Sequence, residues 1–216
     1  MVDLEQRPRL LTRDYDAACV NTWVTHLSDE ERARWDGYRH ARRRQSFLLG
    51  RVTARALLAD LLDRPPPQVP IQVAEDGALE VPGTPYHLSL AHSGQRAVAT
   101  VAVHPVGVDL EEIVPRRDDL YRYILRPDEY HLLDTLGLDR THLHILTWTL
   151  KEATLKALRT GLRLSPKALK LHVEMDAQQA RVTTDNHGHW HVRFWQEGGY
   201  YVSLAVPEAG GGPTVS

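Results

Sequence analysis

Three consecutive prolines, Pro65, Pro66 and Pro67, close off the longest helical pattern in the chain and divide its first half into helix followed by strands. That pattern runs from Ser28 to about Leu62. Ser28 suits the cap position, with Glu31 three residues later, and Phe47, Leu48, Val52, Ala56 and Leu57 keep helical spacing. After the prolines come strand-like segments at Ile71–Val73, His87–Leu90, Ala97–Val103 and Val106–Glu111, with His104 and Pro105 between the last two. The order then recurs. Helical patterns run from Asp118 to about Leu136 and from His142 to Arg159, the latter stopped near Gly161. β-favouring segments follow at Leu169–Val173, Arg181–Thr184, Trp190–Trp195 and Tyr200–Val206, separated by turn-rich stretches. This predicts an α+β class in two similar halves: residues 1–105, residues 106–209, and a disordered tail over 210–216. No residue-level repeat connects the halves.

Composition narrows the function. With 42% hydrophobic and 25% charged residues, the 216-residue chain has the balance of an ordinary globular protein. A formal net charge of -2 gives no global electrostatic case for binding nucleic acid or an anionic membrane. The single cysteine, Cys19, excludes an intramolecular disulfide and a thiolate-rich zinc site. No apolar stretch approaches the roughly 20 residues that span a bilayer. Met1–Leu10 is charged and interrupted by proline, unlike a signal peptide, so a cytoplasmic location is expected.

Four local patterns carry chemistry. In Gly107-Val108-Asp109-Leu110-Glu111, strand periodicity puts Asp109 and Glu111 on one face, with Val108 and Leu110 on the other. Two carboxylates so placed repel each other unless a cation lies between them, and a hard, oxygen-seeking ion such as magnesium fits. The bland reading is a solvated strand end. In Trp148-Thr149-Leu150-Lys151-Glu152-Ala153-Thr154-Leu155-Lys156-Ala157, the residues Leu146, Leu150, Ala153 and Ala157 form a buried stripe. Glu152 and Lys156 lie one turn apart on another face, which is also the spacing of a common surface ion pair. His87–Gly94 is a strand entering a polar turn, where His92 can donate to a phosphate. The run Arg32, Arg34, Arg39, Arg42, Arg43 and Arg44 offers bidentate donors to phosphate, or simply a solvated helix face.

Taken in order, His92-Ser93, then Gly-Val-Asp-Leu-Glu, then Trp-x-x-Lys-Glu-x-x-x-Lys resembles the 4′-phosphopantetheinyl transferases. In length and layout the chain is similar to their larger, monomeric, surfactin-synthetase-activating class. The resemblance runs from about Ser28 to Val206, and its specific part is the pair of acidic motifs about 40 residues apart. It implies two similar α+β halves related by pseudo-twofold symmetry. It also implies transfer of the phosphopantetheine arm of coenzyme A to a serine of an apo acyl- or peptidyl-carrier protein, serving polyketide, non-ribosomal peptide or fatty acid synthesis. Residue by residue, the resemblance makes Asp109, Glu111 and Glu152 magnesium ligands, Lys156 a contact of the coenzyme A diphosphate, and His92 a contact of a coenzyme A phosphate. Arg42, with Arg44 and Ser89 beside it, falls where relatives hold the nucleotide end. Glu152 is the candidate base for the serine proton. The stretch Asp118–Tyr130, with Leu120, Tyr121, Ile124 and Leu125 among Arg116, Arg117, Arg122 and Arg126, falls near the family's carrier-docking surface.

Ala91 stands where the family often has serine, and Gly77-Ala78 where it tends to have Gly-Lys. The rival reading that these departures favour is a coenzyme-A-binding regulatory protein without transfer activity. A second rival, a zinc site on His187, His189 and His191 along one strand face, has no cysteine or nearby acid to complete it.

Overall fold

The computed structural model describes residues 7–130 and 132–208, apart from the side chains of 133 and 134, so the tail expected over 210–216 lies outside the described residues. The chain divides into two units, Met1–His104 and Pro105–Ser216. The first unit opens on β1 (Arg9–Asp14). Three helices follow, α1 (Val20–Val24), α2 (Asp29–Asp36) and α3 (Ala41–Leu62), and then β2 (Gln72–Val73), β3 (Leu79–Glu80), β4 (His87–Ser93) and β5 (Arg96–Ala102). Its antiparallel sheet has the order β1-β5-β4-β3-β2, so the opening strand sits beside the closing one. The second unit contains β6 (Gly107–Glu112), α4 (Asp118–Ile124), α5 (Leu132–Leu136), α6 (Arg140–Ala157), β7 (Lys170–Glu174), β8 (Gln179–Thr184), β9 (Gly188–Glu197) and β10 (Tyr200–Pro207). Its sheet order, β6-β10-β9-β8-β7, repeats the same topology strand for strand. Each unit is therefore an α+β layer pair. The repeat that residue identities hide is plain in the connectivity.

In each unit one long helix covers the sheet, because its apolar stripe has nowhere else to go. Ala54, Leu57 and Leu58 of α3 pack on Leu88, Ala99 and Val101. Leu146, Leu150, Ala153 and Ala157 of α6 pack with Val182, Trp190, Val192, Tyr201 and Ala205.

Three expectations need correction. The helix read as continuous from Ser28 to Leu62 is broken between Gly37, which ends α2, and His40, whose extended backbone caps α3. α3 ends at Leu62, as expected, with Asp63 in the left-handed conformation as its cap. The block from Asp118 to Leu136 also breaks, because Pro127 disfavours helix at the preceding residue and Arg126 is extended. The described part of each unit opens on a strand, and β1 has no strand signature in sequence because its Leu10-Leu11 pair shows no alternation.

Candidate active site

The absent side chain of Gly107 determines how closely α6 approaches β6. A Cβ there would overlap the carbonyl oxygen of Ala153 and crowd the backbone nitrogen of Ala157. The glycine that opens the acidic motif thus lets helix backbone meet strand backbone. Gly107→Ala is expected to cost about 1–3 kcal/mol or more, because both opposing atoms are backbone and cannot rotate away. A urea midpoint within error of the parent would refute this.

Across that contact, α6 reads β6 side chain by side chain. Lys156 Nζ donates to Asp109 Oδ1 at 2.7 Å, and Trp148 Nε1 donates to Glu111 Oε1 at 3.3 Å. Ser203, opposite Asp109 on β10, bonds Thr149 Oγ1 of α6 at 3.0 Å. Asp109 is buried along with Val108 and Leu110, so it is not a solvated strand end. Its Oδ2 is buried and has no hydrogen-bond partner among the described residues. Glu152 lies between Trp148 and Lys156 in the same helix. Burial first, then the negative charge of Asp109, pushes its carboxyl up to about 7, against the pull of Lys156. Such a group exchanges protons near neutral pH, as a general base must.

Three carboxylates with an orphaned buried oxygen have the donor chemistry of a site for a hard divalent cation. They do not form a ready-made cage: among the described residues no three acidic, histidine or cysteine side chains stand together as metal ligands. Internal cations hold two of them instead. Lys156 takes Asp109, and Arg116 Nη2 reaches Glu111 Oε2 at 2.9 Å. Arg116, expected on the docking rim, is thus at the acidic motif instead.

In the first unit, Tyr38, His40, Arg42, Arg43, Ser46, Phe47 and His92 line an open cavity of about 550 Å³. Arg42 comes from the first turn of α3 and His92 from the end of β4, which closes on the two-residue turn Gly94-Gln95 with Gly94 at φ 56°. Arg44 does not join them; its guanidinium lies 3.7 Å from the Trp35 ring centroid and 3.3 Å from Asp36. Neither does Ser89. Alternation puts it on the face of β4 opposite His92 and Leu90, and Leu90 packs towards Gly50 of α3.

The expected docking patch shrinks. Tyr121, Ile124 and Leu125 are core, leaving Leu120 and Tyr123 exposed beside Arg117 and Arg122. Arg126 is engaged by Asp128 and the Lys167 carbonyl. The zinc alternative also loses its geometry, because His187 lies in the turn before β9 rather than on the strand with His189 and His191.

A lysine and carboxylates thus meet on a strand–helix contact, with one carboxyl whose proton affinity is raised by burial. The sequence matches the 4′-phosphopantetheinyl transferase superfamily over residues 105–205. Similar proteins include a 4′-phosphopantetheinyl transferase of Bacillus subtilis, 25% identical over 91% of this chain and 88% of that one. Another is the transferase Sfp of Bacillus subtilis strain 168, 22% identical over 85% and 84%. A third is the transferase psf-1 of Bacillus pumilus, 28% identical over 70% and 66%. A crystal structure of the holo-acyl-carrier-protein synthase of Thermotoga maritima aligns with 48% of this chain and 62% of its own, with a TM-score of 0.41 and 25% identity. Residues 105–205 of the chain belong to the 4′-phosphopantetheinyl transferase superfamily.

Proposed function

We propose that the protein transfers the 4′-phosphopantetheine group of coenzyme A to a serine of an apo carrier protein, releasing 3′,5′-ADP. The observation that carries this reading is the buried Asp109, paired with Lys156 and with Glu152 beside it. In the reaction the serine Oγ bonds to the β-phosphorus of coenzyme A, and the bond from that phosphorus to the bridging oxygen of the leaving 3′,5′-ADP breaks. Glu152 takes the serine proton, directly or through a water molecule. The Lys156 ammonium offsets charge on the leaving oxygen. A magnesium ion held by Asp109, Glu111 and Glu152 would supply neutralisation of the diphosphate. Arg42 and His92 contact coenzyme A phosphates, with Arg43 as a further donor in the same cavity. We take the protein to act as a monomer in the cytoplasm. No helix among the described residues is long and apolar enough to cross a membrane.

Intact mass of an apo carrier protein after incubation with coenzyme A, magnesium and the enzyme tests the proposal. A gain of one phosphopantetheine is expected, and no gain across acyl- and peptidyl-carrier proteins would leave only coenzyme A binding. The two substrates are expected to separate in mutants. Arg42→Ala and His92→Ala should each raise KM for coenzyme A about tenfold or more, the worth of a charged hydrogen bond, without changing that for carrier. Arg117→Glu combined with Arg122→Glu should do the reverse, because these exposed arginines beside Leu120 and Tyr123 suit an acidic carrier helix. A carrier KM unchanged at low salt would move the docking surface elsewhere.

A further inference from the structure

Arg116 is bound at both its ends. Its backbone N–H donates to the Tyr121 hydroxyl at 2.6 Å, and its guanidinium reaches Glu111 at 2.9 Å. Tyr121 is itself immobilised: it is buried in α4 and stacked on His144 of α6 with centroids 3.3 Å apart and planes 25° from parallel. Residue 116 therefore starts from a fixed backbone point, and its side chain has a short, defined reach to the carboxylate. The neighbouring Arg117 is different. It is exposed and pairs with Asp119 two residues on.

Trp148 already donates to Glu111 Oε1, so Arg116 takes the other oxygen of the same carboxylate. A divalent cation arriving at Glu111 meets a guanidinium on an acceptor oxygen it needs, plus the repulsion of a full positive charge a few ångströms away. We infer that Arg116 is a built-in counter-ion that competes with a divalent cation for Glu111 and so sets how tightly the site binds metal. The inference rests on the proposed reading of Asp109, Glu111 and Glu152 as ligands. Arg116 keeps the acidic strand face neutralised while no metal is bound. The same contact makes metal affinity depend on where the Tyr121 hydroxyl holds the start of α4.

The test is direct metal binding rather than turnover. Mn²⁺ would be titrated into the full chain without coenzyme A or carrier, followed by the loss of the free Mn²⁺ paramagnetic resonance signal, with thermal melting to verify folding. Arg116→Gln is expected to tighten the Kd about three- to tenfold, the scale of losing a partly exposed ion pair. Arg116→Lys retains the charge and should stay near the parent, and Arg117→Gln should have no effect. Tyr121→Phe releases the backbone anchor and should tighten binding less than Arg116→Gln, with no further gain in the double mutant. An unchanged or weaker Kd in Arg116→Gln would overturn the inference. If parent and Arg116→Gln bind no Mn²⁺ at all, the metal reading of the carboxylates fails and the inference with it. If both bind equally and Asp109→Asn abolishes binding, the metal reading stands and only the role of Arg116 falls.

Discussion

Replacing Asp109 with asparagine is expected to lower the transfer rate by at least about a hundredfold while leaving a folded protein. Asp109 acts on both groups proposed to take part in the transfer. One of its oxygens holds the Lys156 ammonium at 2.7 Å, and the other is buried without a hydrogen-bond partner among the described residues. Its negative charge is also the second cause, after burial, of the raised proton affinity of Glu152. Asparagine keeps the shape but removes the charge. Lys156 then loses its anchor, the diphosphate loses a source of neutralisation, and the Glu152 carboxyl moves back down towards the ordinary range. Lowering that affinity weakens Glu152 as a base even as it ionises more of it at neutral pH. Initial rates with saturating coenzyme A, carrier and magnesium, set beside circular dichroism, provide the measurement. Near-parental turnover in Asp109→Asn would remove Asp109 from the chemistry.

Much of this site could be read from periodicity alone. Strand alternation put Asp109 and Glu111 on one face, and one helical turn joined Glu152 to Lys156. Both patterns are local, so no knowledge of the fold was needed. The contacts that assemble them were not local. Nothing in a linear reading says that Gly107 lies against Ala153, or that Trp148 reaches Glu111, because these depend on how α6 lies over β6. Ser89 and Arg44 were misplaced for related reasons. In a short strand a neighbouring residue can lie on the wrong face, and within a run of arginines sequence does not reveal which one is engaged by Trp35 and Asp36. The two lysines of the second motif show the limit most clearly. Lys151 and Lys156 look alike in sequence, yet Lys156 is at the site while Lys151 has no exposed surface.

Lys151→Met is expected to destabilise the second unit by about 3–5 kcal/mol, because it leaves a buried carboxylate without its cation. Lys151 Nζ donates to Glu129 Oε2 at 2.6 Å and to the Ile124 carbonyl at the end of α4 at 2.9 Å. Glu129 Oε2 also accepts the Arg126 backbone N–H at 2.9 Å. Burial pushes the Lys151 ammonium towards losing its proton, and Glu129 is what holds it charged. The first unit repeats the device at the corresponding place in its topology. Glu31 Oε2 accepts the Ser28 backbone N–H at 3.2 Å and Arg55 Nε at 2.6 Å, while Arg55 also donates to the carbonyls of Pro66 and Val69. In both units one glutamate oxygen ties a turn or helix start to a buried base on the long covering helix, although lysine replaces arginine in the second. Because Lys151 immediately precedes Glu152, the second clasp also fixes α4 and the turn after it against the helix that bears the site. Urea unfolding of Lys151→Met, Glu129→Leu and the double mutant separates charge from packing. Each single change should lower the midpoint strongly, and the double, which removes both charges, should recover most of the loss. Single mutants within about 1 kcal/mol of the parent would mean that the pair is not buried in solution as it is here.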